Sequence, residues 1–408
     1  MQNTIFILIL VIPVTGYLIE RYLQYLNSRM WSVSLPDKLK GIYDEKKYRK
    51  TQMYDKDNKK LSLWSSTFNL AVIMAMIVAG GFAVVDNLSR TISNDIIIIS
   101  LVFFGIIGIA SELINIPFSW YDNFVIEKKF GFNKMSVRTF ITDHIKSWFL
   151  ALLIGIPVLG IITWIYYHAG SNFWLYAWIV IIVFSVFINF FYSELIVPLF
   201  NKQEPLETGS LRNKIEEFAK KTGFRLRNIY VIDGSKRSTK ANAYFSGFGS
   251  KKRIVLYDTL LKELTEEEVV AVLAHEIGHY RKKHVLKSLI FSVLLTGFML
   301  YLFSLVVGNP EVSKALSADE PSFHIGIVAF GILYSPLSLV IGLVTNFVSR
   351  RNEFEADRFV KEYYEPAMLA QALKKLSVKN LSNLMPHPAY VFFHYSHPPL
   401  LARLEELE

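Results

Sequence analysis

The chain has 408 residues, 52% hydrophobic and 14% aromatic, with 44 basic residues against 35 acidic ones and no cysteine. A composition this apolar excludes an ordinary soluble globule and points to a multi-span membrane protein. Without cysteine there are no disulfides, thiolate ligands or cysteine nucleophile, so a metal site must use His, Asp or Glu. In a membrane chain excess Lys and Arg belongs to cytoplasmic loops, so no nucleic-acid partner is inferred.

Seven segments reach the ~20 apolar residues that a bilayer demands: 4–25, 67–86, 96–117, 147–168, 173–198, 285–308 and 323–348. The first carries no Lys or Arg before Arg21. A cleavable signal peptide has its charge in front of the apolar run, so 4–25 is expected to be a retained helix. Loops 27–67 and 119–146 hold ten and five basic residues, whereas 87–95, 169–172 and 309–322 hold only Arg90 and Lys314. That bias predicts an outside N-terminus, with 199–284 and the C-terminus cytoplasmic. The missing cysteines and retention signal favour a bacterial inner membrane; in a eukaryote the endoplasmic reticulum is expected.

Polar residues in the spans need a reason, because they are costly in lipid. Glu112, Asn115 and Asn189 suggest a hydrated interior, while Glu194 and Asn346 fall near the cytoplasmic interface, where exposure suffices.

Residues 199–284 form the one sizeable soluble stretch between spans. Pro205–Thr222 reads as a helix. Asn228–Ile232, Ala243–Phe245 and Arg253–Tyr257 read as strands separated by Gly234, Gly247 and Gly249, giving a sheet of about three strands. An edge strand beside a metal site can hold an extended peptide, or the sheet can simply buttress the next helix.

That helix carries His275-Glu276-Ile277-Gly278-His279 in the run VVAVLAHEIGHYRKKH, read as one helix leading into the sixth span. Thr265 and Glu268 form an N-terminal capping box. His275 and His279, four residues apart, share a face and suit one Zn²⁺. Glu276 is placed to take a proton from a metal-bound water. A catalytic zinc usually has three protein ligands. His284 falls off the ligand face of a continuous helix, so a distal carboxylate in Arg350–Asp357 is favoured. Glu353 and Asp357 are one turn apart, one to ligate and the other to orient a ligand imidazole. Chemistry alone leaves Glu355 open beside Glu353. The C-terminal stretch has His387, His394, His397 and Arg403, either as helix caps or as oxyanion donors. The chain divides into 1–198 (spans one to five), 199–284 (zinc segment), 285–348 (spans six and seven) and 349–408 (third-ligand helix and catalytic C-terminus).

LAHEIGHYRKKH, RRNEFEAD and YSHPPLLARL, with FVIEKKFGFN, VPLFNKQEPLETGSLRNKIE and ANAYFSGFGSKKRIVLYDTLL, resemble the type I CaaX prenyl endopeptidases. The resemblance implies seven transmembrane helices around a water-filled chamber, with a small α+β gluzincin-like zinc protease domain on the cytoplasmic side. It implies one Zn²⁺ on His275, His279 and Glu353, Glu276 as general base and acid, and His397 and Arg403 at the oxyanion. Asp357 would support the site, and Asn242 and Ala243 would hold substrate. The expected function is hydrolysis of peptide bonds in a peptide or protein substrate, lipidated or not, including CaaX, prenylated or membrane quality-control substrates. The rival expectation is a non-catalytic membrane scaffold or transport protein with a structural zinc.

Overall fold

The structure is a computed structural model that describes residues 2–408 except Arg225, Arg227 and 247–252. Gly247 and Gly249, read above as strand breakers, lie outside the described residues. Among the described residues seven helices are long and apolar enough to cross a membrane. They are α1 (Gln2–Ser28), α2 (Glu45–Val78), α4 (Ile96–Tyr121, prolonged to Phe130), α5 (Val137–His168), α6 (Phe173–Phe191, prolonged to Phe200), α10 (His284–Val306) and α12 (Phe323–Tyr363). Only 6 to 17% of each apolar window is buried against protein, so these helices are solvated by something apolar or stand around open space. The chain is a polytopic helical membrane protein.

The second span ends earlier than the sequence suggested. It stops at Val78 because Gly80 adopts a left-handed φ of 66°, which costs glycine nothing. The chain then restarts as α3 (Gly81–Ile92), so residues 81–86 belong to a separate short helix.

The soluble part is built on a four-stranded sheet in the order β1-β2-β4-β3: β1 (Gln203–Pro205), β2 (Asn228–Ile232), β3 (Ala243–Ser246) and β4 (Arg253–Tyr257). The expected helix over 205–222 is shorter. Pro205 ends β1, and the helix α7 spans Ser210–Lys221. A three-residue strand is too short to leave an alternating pattern, so the sheet has one strand more than expected. β2 and β4 run parallel, Asn228 opposite Arg253 through Ile232 opposite Tyr257. Ile254, Val255 and Leu256 of β4 are fully buried, as expected of a strand covered on both faces. Val255 packs with Val197 at the end of α6, and Ile254 and Leu256 face the main core.

After α8 (Asp258–Glu263) comes α9 (Glu266–Arg281), which carries His275, Glu276 and His279. Its capping box is present: Thr265 N–H donates to Glu268 Oε2 (2.8 Å), and Glu268 N–H donates to Thr265 Oγ1 (3.3 Å). Val269, Val270, Leu273, Ala274 and Ile277 bury one face of α9. They pack against Phe359 and Val360 of α12, and against Leu369 and Ala372 of α13 (Pro366–Lys379). Truncating Leu273 to Ala would cost about 2–5 kcal/mol. Gly278 is what lets α9 and α12 close up. A Cβ there would stand 3.0 Å from Phe359 Cβ and 3.2 Å from the Ala356 backbone.

Between α9 and α10, Lys283 takes a left-handed φ of 59°. The run VVAVLAHEIGHYRKKH is therefore two helices and not one, and His284 opens the second. α12, by contrast, continues through the end of the seventh span without a break, carrying Glu353, Glu355 and Asp357 on the same 41-residue rod. After the outer α11 (Pro310–Ala315) and α13, the chain ends in α14 (Pro388–His394) and α15 (Leu400–Leu407). The soluble part is tied to the spans by ion pairs. Arg237 grips Asp143 of α5 with two bonds of 2.8 and 2.9 Å, and Lys240 meets Glu127 at 2.9 Å.

Candidate metal centre

α9 and α12 bring His275, His279 and Glu353 together, each offering one donor atom, all within 4.8 Å of one another. His275 Nε2 and His279 Nε2 are 3.2 Å apart. Glu353 Oε2 is 3.3 Å from the first and Oε1 is 3.2 Å from the second. His275 and Glu353 are buried and His279 half-buried. Glu353 Oε2 is buried without a geometrically sound hydrogen bond, although the His397 ring stands 2.9 Å away. Lone pairs crowded this closely need a positive centre, and the N,N,O donor set suits a divalent transition metal. The residues present therefore fit a metal.

Behind the donors lie their supports. His275 Nδ1–H donates to Asp357 Oδ1 at 2.8 Å. Burial alone would lower the pKa of the His275 ring, but its bonds to Asp357 and Glu353 outweigh this and raise it to about 9. Asp357, fully buried, receives Arg403 through two bonds of 2.9 and 2.6 Å. His279 has a longer support. Its Nδ1 is 3.0 Å from His284 Nδ1, and His284 Nε2 is 3.1 Å from Glu355 Oε2. A consistent tautomer set follows: His279 Nδ1–H donates to His284, and His284 Nε2–H donates to Glu355. Of the two carboxylates left open by the sequence, Glu353 stands among the histidine nitrogens and Glu355 pairs with His284.

His284 is the residue that sequence reasoning missed. On one continuous helix it faces away from the ligands; the turn at Lys283 swings it back onto His279. The two adjacent lysines gave no local sign of a left-handed turn.

Glu276, next to His275, is half-buried and makes no hydrogen bond or ion pair with any described residue. Of the C-terminal histidines only His397 reaches the metal cluster, and its side chain is 66% exposed on the other side. His387 caps α14 by accepting from Ala389 N–H, and His394 pairs with Glu20 of α1 at 3.1 Å. Arg403 is buried and lies 3.6 Å from Glu353 Oε2. Asn242 is exposed, and Ala243 opens β3, which has a strand partner on one side only among the described residues.

The span polars have partners that exposure did not predict. Asn346 donates to the Phe393 carbonyl at 2.7 Å, and Glu194 holds Arg253 of β4. Glu112 of α4 approaches His144 of α5 at 3.9 Å, Asn115 accepts from Asn69 of α2 at 3.3 Å, and Asn189 donates to Ser185 within its own helix at 3.0 Å.

A structural metal is closed by four protein ligands. Among the described residues three converge, with the Glu276 carboxylate alongside and paired with none of them. On a membrane-spanning scaffold this equips a metal-dependent hydrolase rather than a scaffold or a transporter.

Comparison with known proteins makes the class specific. Residues 24–202 match the model "CAAX prenyl protease N-terminal, five membrane helices", and residues 205–408 match "Peptidase family M48". The chain is 35% identical to CAAX prenyl protease 1 of Saccharomyces cerevisiae, covering 95% of this chain and 92% of that one. It is 32% identical to the human CAAX prenyl protease 1 homolog, over 100% and 96% of the two chains. It superposes on the crystal structure of S. mikatae Ste24p with a TM-score of 0.93 at 36% identity, covering 99% of both. The chain belongs to peptidase family M48 and is a membrane metalloendopeptidase.

Proposed function

We propose that this protein is a zinc endopeptidase acting near the C-terminus of prenylated CaaX proteins. The observation that carries the reading is the convergence of His275, His279 and Glu353 donors within 4.8 Å, beside a Glu276 that makes no hydrogen bond or ion pair with any described residue. The substrate class is the one that the relatives' names give, and it suits a site joined to membrane helices.

His275, His279 and Glu353 would hold the zinc, which when bound supplies Lewis acidity and lowers the pKa of water toward neutrality. Glu276 accepts the proton of the attacking water on a carboxylate oxygen and returns it to the leaving amine. His397, open to the site on one side, donates to the developing oxyanion. Arg403 acts through Asp357: its guanidinium fixes the carboxylate that fixes His275. Its two bonds to Asp357 favour that positioning role over direct contact with the oxyanion. His284 and Glu355 do the same for His279. The free edge of β3, from Asn242 and Ala243, offers backbone groups to an extended peptide. Glu112, Asn115 and Asn189 line a hydrated interior through which the lipidated end is accommodated. The loop charges support an outside N-terminus and a cytoplasmic metal centre. That orientation is common to a bacterial inner membrane and the endoplasmic reticulum.

The test is cleavage of a farnesylated CaaX peptide and its unlipidated twin by purified protein, with zinc measured on the same sample. The expected result is cleavage of the farnesylated peptide, about one zinc per chain, and a Glu276→Gln protein that keeps zinc but is slower by about 10²–10⁴-fold. Full activity in Glu276→Gln would overturn the assignment of the base. Equal cleavage of both peptides would remove the requirement for the prenyl group.

A further inference from the structure

On the same end of the bundle as the metal centre, a cavity of about 1180 Å³ opens between the last turns of α1 and the first half of α2. Its side is fixed by contacts. Asn27 of α1 accepts from His387 N–H at 3.0 Å, and Glu20 pairs with His394, three residues before His397. Nothing in the peptidase reading uses this cavity.

Its lining holds five basic side chains, Arg21, Arg49, Lys56, Lys59 and Lys60, against two acidic ones, Asp55 and Asp57. Both acids are taken. Asp55 is held by Lys59 at 2.6 Å and by the Trp31 indole N–H at 2.8 Å, and Asp57 by Lys129 at 2.7 Å. Arg49, Lys56 and Lys60 form no ion pair with any described residue. Arg21 is weakly held: its Nε is buried without a hydrogen-bond partner, and its Nη2 reaches Ser62 Oγ at 3.5 Å and Glu20 at 4.0 Å. Arg49, Gln52, Lys56, Lys60 and Leu63 recur at helical spacing, so three basic side chains share the face that α2 turns toward the cavity.

The uncharged lining is divided between the polar Gln24, Ser28, Ser32 and Gln52 and an apolar lip of Tyr25, Trp31, Val33 and Leu63. Val33 stands in the connection after α1 with 93% of its surface exposed, and Leu63 begins the apolar part of α2 just beyond Lys60. A cationic cradle with aromatic and aliphatic groups at one lip, at the depth where two helices enter the bilayer, matches a charged headgroup continuous with acyl chains. A freely soluble phosphate would have no use for the apolar lip.

We propose that this cleft binds the phosphate headgroup of an anionic phospholipid from the leaflet on the metal-centre side. Arg49, Lys56, Lys60 and Arg21 contact the phosphate, and Trp31, Val33 and Leu63 contact the glycerol and upper chains. The site is independent of the peptidase reading.

The experiment is native mass spectrometry of the intact detergent-purified protein, titrated with dioctanoyl phosphatidic acid, dioctanoyl phosphatidylcholine or inorganic phosphate. One phosphatidic acid is expected to bind at least about tenfold more tightly than phosphatidylcholine or inorganic phosphate, the preference expected of a basic pocket at the cytoplasmic end of membrane helices. Arg49→Gln/Lys56→Gln/Lys60→Gln should lose that preference. Lys38→Gln/Lys46→Gln/Lys47→Gln removes the same charge outside the cleft and should keep it. Equal weakening by both triple variants would reduce the effect to diffuse attraction and overturn the site. So would equal binding of the two lipids to the unaltered protein, a comparison that needs no variant to fold. Inorganic phosphate binding as tightly as the lipid would overturn the lipid assignment.

Discussion

The two ends of α12 carry nearly the same chemistry with opposite uses. At the metal end, His275 of α9, Asp357 of α12 and Arg403 of α15 form a buried histidine–aspartate–arginine trio, with His275 2.8 Å from Asp357. About 50 Å away by helix rise, His324 of α12 meets Asp86 of α3 at 2.7 Å, and Asp86 meets Arg90 at 3.0 Å. Both histidines are buried, and each has an arginine behind its carboxylate. The difference is the second ring nitrogen. His324 Nδ1 is satisfied by Ser100 Oγ at 3.1 Å, and the ring packs at a tilt against Phe103, centroids 4.6 Å apart. His275 Nε2 instead faces His279 Nε2 at 3.2 Å and Glu353 Oε2 at 3.3 Å, two further potential metal ligands. A buried His–Asp–Arg trio is therefore a structural clamp when its other nitrogen is occupied, and a ligand support when that nitrogen is left to a metal.

Removing the aspartate at each end breaks this comparison most sharply. Asp357→Asn should weaken metal affinity by about 10–100-fold, read by competition with a chromophoric chelator. Asp86→Asn should leave affinity unchanged. It breaks a buried charge network, so it should cost about 3–5 kcal/mol of stability, read as a lower melting temperature. Matched losses of affinity would abolish the distinction.

His284 sharpens the comparison within the metal end, because His279 reaches its carboxylate through a second imidazole rather than directly. His284→Ala should weaken metal binding by about tenfold, the low end of the range for outer-shell partners. Glu355→Gln should do less than Asp357→Asn in the same chelator assay. An affinity unchanged in His284→Ala would show that the 3.0 Å contact is incidental.

A smaller effect is expected where the helices themselves meet. Gly278→Ala places a methyl group 3.0–3.2 Å from Phe359 and Ala356, separating α9 from α12. The expected cost is about 1–3 kcal/mol of overpacking, visible in the melting temperature, with metal affinity falling because Glu353 moves with α12.

The smallest effect is a proton count. In the metal-free protein the His275 pKa, raised to about 9, keeps the ring protonated at pH 7. A metal needs the lone pair on Nε2. Uptake at pH 7 should therefore release close to one proton from this ring, and the release should fade as pH rises through about 9. Calorimetry in two buffers of different ionisation enthalpy would measure it. No proton release at pH 7 would contradict the raised value.

Local rules made much of this protein legible before any coordinates. Seven apolar runs, the basic loops, the capped helix with His275 and His279 one turn apart, and the carboxylates at 353 and 357 all follow from period and composition. Those signals are local, because helix periodicity and bilayer length act within a few turns of chain. What the sequence left open depended on backbone turns and distant partners. The left-handed turn at Lys283 turned one expected helix into two and delivered His284 to His279. The face of α12 that meets α9 across Gly278 brings Glu353, and not Glu355, beside His275 and His279. Arg403 was set on Asp357, His394 on Glu20 and Asn346 on the Phe393 carbonyl by packing of the C-terminal helices against α12 and α1. A single φ value or a contact spanning hundreds of residues leaves no periodic trace in the chain, so only the tertiary structure decided them.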